Sequence, residues 1–150
     1  MQFESANTEG KLDQPRHVSI FGGVASLCVW SKIELLDLSK TNLSVKNVNW
    51  ISQWTNLSIL KLSCDELVGS VPLEIRGLSN LSKLYQDGNQ FNGLISEEHL
   101  ASLVNLEALD FSYNPLQMTI SSNWTPPFKP KLAYFPSKKL GPQLLLWLKR

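Results

Sequence analysis

The chain has 150 residues, a length that suits one domain or one stretch of solenoid better than two independent cores. With 43% apolar and 18% charged residues it has the composition of a globular protein, not of a disordered tail or a fibre. A net charge of +1, from 14 basic and 13 acidic residues, argues against nucleic-acid binding through bulk positive charge, and two cysteines and two histidines leave little material for a disulfide scaffold, a zinc site or acid–base catalysis.

The start, Met1-Gln-Phe-Glu-Ser5, carries an early acid and neither a basic n-region nor an apolar h-region, so it does not read as a secretory leader. Residues 1–20 show no repeat and are expected to form an irregular lead-in, with a solenoid over 21–150. Val24, Leu27 and Trp30 look like the tail of an earlier coil whose strand is unrecognisable. From Ile33 onward the chain repeats itself. Ile33-Glu-Leu-Leu-Asp-Leu38 returns as Leu57-Ser-Ile-Leu-Lys-Leu62, Leu81-Ser-Lys-Leu-Tyr-Gln86, Leu106-Glu-Ala-Leu-Asp-Phe111 and, degraded, Pro130-Lys-Leu-Ala-Tyr-Phe135. The copies start at 33, 57, 81, 106 and 130, at intervals of 24, 24, 25 and 24 residues.

In the clearest unit, counting Leu57 as position 1, apolar residues fall at positions 1, 4, 6 and 11, followed by Gly69, Val71, Pro72, Ile75 and Leu78. Positions 4 and 6 share one face of a strand, and positions 3, 5 and 7 share the other. A single coil of this length cannot cover both sides of its own core, whereas stacked coils cover one another and align their strands in a parallel sheet. Pro72 is expected to open a short helical or 3-10 turn on the convex side. Position 9 calls for a polar side chain turned inward to pair the backbone of the turn. Asn89 and Asn114 fit this role, Thr41 and Asp65 fit in part, and Lys138 does not. Gln86 breaks the pattern at position 6, where it must either find a partner or weaken the third coil. The longest strongly apolar run, Leu144 to Leu148, is five residues, against about 20 for a membrane span.

On these residues the segment from Ile33 to Arg150 resembles the extracellular leucine-rich repeats of plant receptor-like proteins and receptor kinases. Leu36-Asp-Leu-Ser-Lys-Thr-Asn-Leu-Ser44 and Leu67-Val-Gly-Ser-Val-Pro72 are similar to phrases of the plant extracellular subtype. Ser112-Tyr-Asn-Pro-Leu116, Trp124-Thr-Pro-Pro-Phe128 and Leu140-Gly-Pro142 look closer to immune receptor-like proteins that sense elicitors. The resemblance implies an α/β right-handed solenoid, with parallel strands on the concave side and short turns and loops on the convex side. It implies non-enzymatic recognition in defence at the extracellular face of the plasma membrane. The partners would be a peptide, glycan or protein elicitor and, in a full-length relative, a receptor-kinase co-receptor, with no nucleic acid and no cofactor. A secreted inhibitor of a microbial cell-wall hydrolase is the alternative. A third reading is an internal or truncated chain without independent function, since the leader, cap, further repeats and anchor usual in such receptors do not occur here.

The candidate ligand residues lie on the solvent side of the strands: Asp37, Lys61, Tyr85, Asp110 and Tyr134 at position 5, and Tyr113 at position 8. Five strands at about 4.8 Å offer a patch on the order of 350 Å², below the roughly 800 Å² per partner of a standard interface, so a short peptide fits better than a protein. Asn42, Asn56, Asn80 and Asn123 begin Asn-x-Ser/Thr sequons, and Asn56 and Asn80 share one repeat position. No catalytic or metal-binding set is expected. Cys28 and Cys64 occupy different repeat positions and are not expected to pair, and His17 and His99 lie apart from Cys64. Six of the 14 basic residues follow Phe128, an end that reads as solubilising.

Overall fold

The computed structural model describes residues 17–19, 32–41 and 49–136. In chain order the strands are β1 (His17–Ser19), β2 (Leu35–Asp37), β3 (Ile59–Lys61), β4 (Val68–Ser70), β5 (Lys83–Tyr85), β6 (Gln90–Asn92), β7 (Leu94–Ser96), β8 (Ala108–Asp110), β9 (Gln117–Thr119) and β10 (Leu132–Tyr134). Six of them form one parallel sheet in the order β1-β2-β3-β5-β8-β10. Each strand pairs with its counterpart one coil earlier, so Leu36, Leu60, Leu84, Leu109 and Ala133 stand in register. The four leucines of this row are 0% exposed, which is the interlock that the period predicts. Each such burial stabilises the coil by about 1.5–3 kcal/mol.

The sheet begins one strand earlier than the repeat suggests. β1 falls inside the stretch expected to be irregular and pairs His17 with Leu35, Val18 with Leu36 and Ser19 with Asp37. Val18 precedes Leu36 by only 18 residues, short of the 24-residue period, so the strand was out of phase with the copies that reveal the repeat. At the other end, β10 shows that the degraded fifth copy still forms its strand. Lys138, the position-9 residue that does not fit the inward polar role, lies outside the described residues.

Among the described residues the convex side carries 3-10 turns at Asn49–Gln53 and Leu73–Gly77 and one short helix, α1 (Glu97–Leu100). Pro72, with φ −71°, leads into the Leu73–Gly77 turn as expected, and Ile75 and Leu78 return to the core. Two small parallel sheets, β4 with β6 and β7 with β9, flank the main one and were not anticipated. Their signal is a short alternation: Phe91 and Met118 point inward while Gln90, Asn92, Gln117 and Thr119 face solvent.

The position-9 side chains bind the coil before them. Asn89 Oδ1 accepts from the backbone N–H groups of Asp65 and Leu67, both at 3.0 Å, and its Nδ2 donates to the Leu62 carbonyl at 2.6 Å. Asn114 repeats the arrangement, accepting from Phe91 N at 3.1 Å and donating to the Gln86 carbonyl at 2.8 Å. Asp65 accepts from Thr41 N at 2.5 Å but, as an acid, has no amide to offer the Leu38 carbonyl; the Thr41 hydroxyl donates there instead, at 2.7 Å. The two partial fits therefore compensate one another.

Just before this ladder the backbone turns through the left-handed region in the four coils whose position 8 is described. Lys40, Cys64, Gly88 and Tyr113, all at position 8, have φ of 61°, 60°, 66° and 55°. The turn ends the strand and aims position 9 inward. Position 8 therefore does not belong to the concave column, and Tyr113 stands at the rim of the sheet, 79% exposed, not on its face.

Candidate ligand-binding face

Positions 3, 5 and 7 of the strands face outward from the concave sheet. Parallel pairing stacks the position-5 residues in the order Asp37, Lys61, Tyr85, Asp110, Tyr134. The first pair closes on itself, with Lys61 Nζ 3.2 Å from Asp37 Oδ2. Being partly exposed, this ion pair contributes about 0–1 kcal/mol. The next three residues form a different arrangement, in which Asp110 lies between two tyrosines. Its Oδ1 accepts from Ser112 N at 2.9 Å and from the Ser112 hydroxyl at 2.6 Å. Among the described residues it makes no ion pair. Tyr134 is 51% exposed, and Tyr85 and Asp110 are half-buried.

The position-7 column tethers itself along the sheet. The Ser63 hydroxyl donates to Asp87 Oδ1 at 2.5 Å, and Ser63 N donates to Ser39 Oγ at 3.3 Å. Position 3 presents Leu35, Ile59, Lys83, Ala108 and Leu132, a mostly apolar strip that borders the position-5 row. The face is thus rigid, with a neutralised half at β2–β3 and an aromatic, acidic half at β5–β10.

Asn56 and Asn80 are exposed, at the register just before position 1. There Asn80 Nδ2 donates to the Thr55 carbonyl at 3.1 Å, and Asn105, which begins no sequon, donates likewise to the Ser79 carbonyl at 3.0 Å. Asparagine at this register consequently has a structural use, linking coil to coil. An open depression of about 450 Å³, lined by Lys32, Glu34, Asn56, Ser58 and Asn80, lies beside it. Sequence reading missed this hollow, because its walls come from positions that look like ordinary polar exterior. Asn123 is exposed beyond β9, and Asn42 lies outside the described residues, as does Cys28.

His99 is occupied locally, its Nδ1 accepting from Ser96 N at 3.2 Å at the start of α1. Cys64 is a free, exposed thiol. One coil further on, the Ser121 hydroxyl and backbone N–H both donate to Glu97 Oε1. Those bonds, the hydroxyl's first, hold the Glu97 carboxyl below its ordinary value of 4.5. Among the described residues no group of three or more His, Cys, Asp or Glu is placed to hold a metal ion, and no helix is long and apolar enough to cross a membrane.

No family model matches the chain. Over 56 residues it is 45% identical to receptor-like protein EIX1 of Solanum lycopersicum, a match that takes in 37% of this chain and 5% of that protein. The chain is a leucine-rich-repeat solenoid similar to those of plant receptor-like proteins. Solved structures agree on the fold. A plant ice-binding protein superposes with a TM-score of 0.58 at 24% identity, over 78% of this chain and 45% of its own. Internalin C2 of Listeria monocytogenes superposes with a TM-score of 0.56 at 20% identity, over 71% and 51%. In a solenoid of this kind each coil supplies one strand to the concave sheet, so the row of residues at position 5 is a direct consequence of the repeat phase.

Proposed function

We propose that the chain is a non-enzymatic recognition module of a plant receptor-like protein, acting at the extracellular face of the plasma membrane in defence signalling. Its ligand, a peptide, glycan or protein elicitor, is held on the concave face at Tyr85, Asp110 and Tyr134, with Tyr113 contributing from the rim. One observation carries this reading: the Tyr85–Asp110–Tyr134 row is partly exposed and its carboxylate makes no ion pair among the described residues, while the neighbouring Asp37–Lys61 pair is already satisfied. Rigid aromatic side chains supply contact area at low entropic cost, as recognition surfaces require. The likeness to a tomato receptor-like protein supports the receptor setting. In that setting the exposed Asn56, Asn80 and Asn123 are glycan acceptors, and a co-receptor kinase engages the longer solenoid.

The test is binding of the purified chain to immobilised elicitor preparations, wild type against the combined Tyr85→Ala, Asp110→Ala, Tyr134→Ala variant. Affinity is expected to fall at least tenfold while the circular dichroism spectrum is retained. Unchanged affinity in the folded variant removes the concave assignment.

A further inference from the structure

We infer that the Tyr85–Asp110–Tyr134 row is a slot for a single cationic side chain, and that the ligand presents an arginine to it. The inference rests on the reading of the concave face as the recognition surface and adds the chemistry of the group recognised. Strand register puts Asp110 directly between the two tyrosines, one on each neighbouring strand, at a spacing of about 4.8 Å. At that backbone spacing either phenol ring can reach a cation held over the Asp110 carboxylate to within the roughly 6 Å at which an aromatic ring attracts positive charge.

The carboxylate is also available. Its Oδ1 is occupied by the two Ser112 donors, which fix its orientation, while its Oδ2 makes no hydrogen bond among the described residues. Two basic residues near this end of the sheet are committed elsewhere, and Lys83, on the neighbouring strand two positions before Tyr85, makes no ion pair with Asp110 among the described residues. Lys61 pairs with Asp37 at 3.2 Å, and Lys131 pairs with Glu107 at 3.0 Å. Asp87, two positions past Tyr85 on the same strand face, balances the charge of Lys83, two positions before it, and leaves Asp110 as the charge at the centre of the slot. A half-buried carboxylate without a counter-ion among the described residues, oriented by the Ser112 donors and with a phenol side chain on each neighbouring strand, is complementary to a planar cation. Arginine fits better than lysine, because a guanidinium can stack on a phenol ring while donating to an oxygen in its plane.

The experiment is a heteronuclear NMR titration of the whole purified chain with acetyl-Gly-Arg-Gly-amide and with its neutral citrulline counterpart of nearly the same shape. The arginine peptide is expected to shift the Tyr85, Asp110 and Tyr134 resonances saturably and at least tenfold more tightly than citrulline, with the gap narrowing as salt rises. Asp110→Asn keeps an oxygen for Ser112 and is expected to erase the difference; Tyr134→Leu is expected to weaken the arginine peptide several-fold. Equal binding of the two peptides, shifts confined to other acidic residues, or an undiminished preference in Asp110→Asn overturns the slot. If elicitor binding is lost in the combined variant described above while arginine and citrulline bind alike, the recognition face stands and only the cation slot falls. If the arginine preference holds but no elicitor binds, the converse applies.

Discussion

Replacing Gln86 by leucine should make the protein more stable. Gln86 occupies position 6, which holds Leu62 and Phe111 in the coils on either side and Leu38 one coil further back. It is 0% exposed, and neither its Oε1 nor its Nε2 has a hydrogen-bond partner among the described residues. A buried amide left unpaired costs about 1–3 kcal/mol, and a leucine of similar size adds apolar contact where the amide offered none. The backbone bonds at this residue do not depend on its side chain. Its N–H donates to the Asp110 carbonyl at 2.9 Å, and its carbonyl accepts from Asn89 and Asn114 at 3.1 and 2.8 Å. Gln86→Leu is therefore expected to raise stability by about 1–3 kcal/mol, or roughly 3–10 °C in Tm for a chain of this size. Thermal and urea unfolding of the two proteins side by side reads the change. A lower midpoint in the leucine variant would refute the reasoning, because it would mean that the amide makes contacts worth more than its desolvation.

Asn89→Ala should lose about 3–5 kcal/mol, since it strips partners from the Asp65 and Leu67 N–H groups and from the Leu62 carbonyl together; urea unfolding measures this, and a loss below about 1 kcal/mol would show the ladder to be dispensable. Gly88→Ala places a Cβ 2.9 Å from the Cys64 sulfur at φ +66° and should cost about 1–3 kcal/mol; adding Cys64→Gly removes the sulfur, so the double variant should recover part of that loss beyond the gain from Cys64→Gly alone, a coupling visible in a double-mutant cycle. Glu97 is held below its ordinary 4.5 in the folded protein by Ser121, so its stabilising effect is present above that pH and is lost as pH falls through the lowered value; Glu97→Gln should flatten the acid limb of the stability–pH curve, and an unchanged limb would contradict the assignment.

What the sequence made legible was whatever depends on period. The inward row Leu36, Leu60, Leu84, Leu109 follows from phase alone, and the structure aligns it residue for residue. The asparagine ladder was legible because its chemistry is local to one position, although the spacing could not tell that Asn89 and Asn114 reach back to the preceding coil. β1 was hidden because its coil is short, and the small side sheets because three-residue alternations are brief next to a 24-residue repeat. Tyr113 was misplaced for a related reason: a count of alternating residues continues past the strand, whereas the backbone turns left-handed at position 8 and ends the alternation there.

The candidate site follows the same logic one level up. Composition shows that tyrosines and aspartates are present, and spacing puts them in one column, but only pairing partners separate the closed part of that column from the open part. Asp37 and Asp110 occupy equivalent positions and each accepts from the N–H two residues on, at 3.1 and 2.9 Å. They differ in their neighbours: β3 offers Asp37 a lysine, while β5 and β10 offer Asp110 two phenols. Identical backbone geometry thus yields a neutralised carboxylate at one end of the sheet and an unneutralised one at the other. That difference is set by side chains the fold does not need, since a solvent-facing position 5 tolerates any residue that suits a strand.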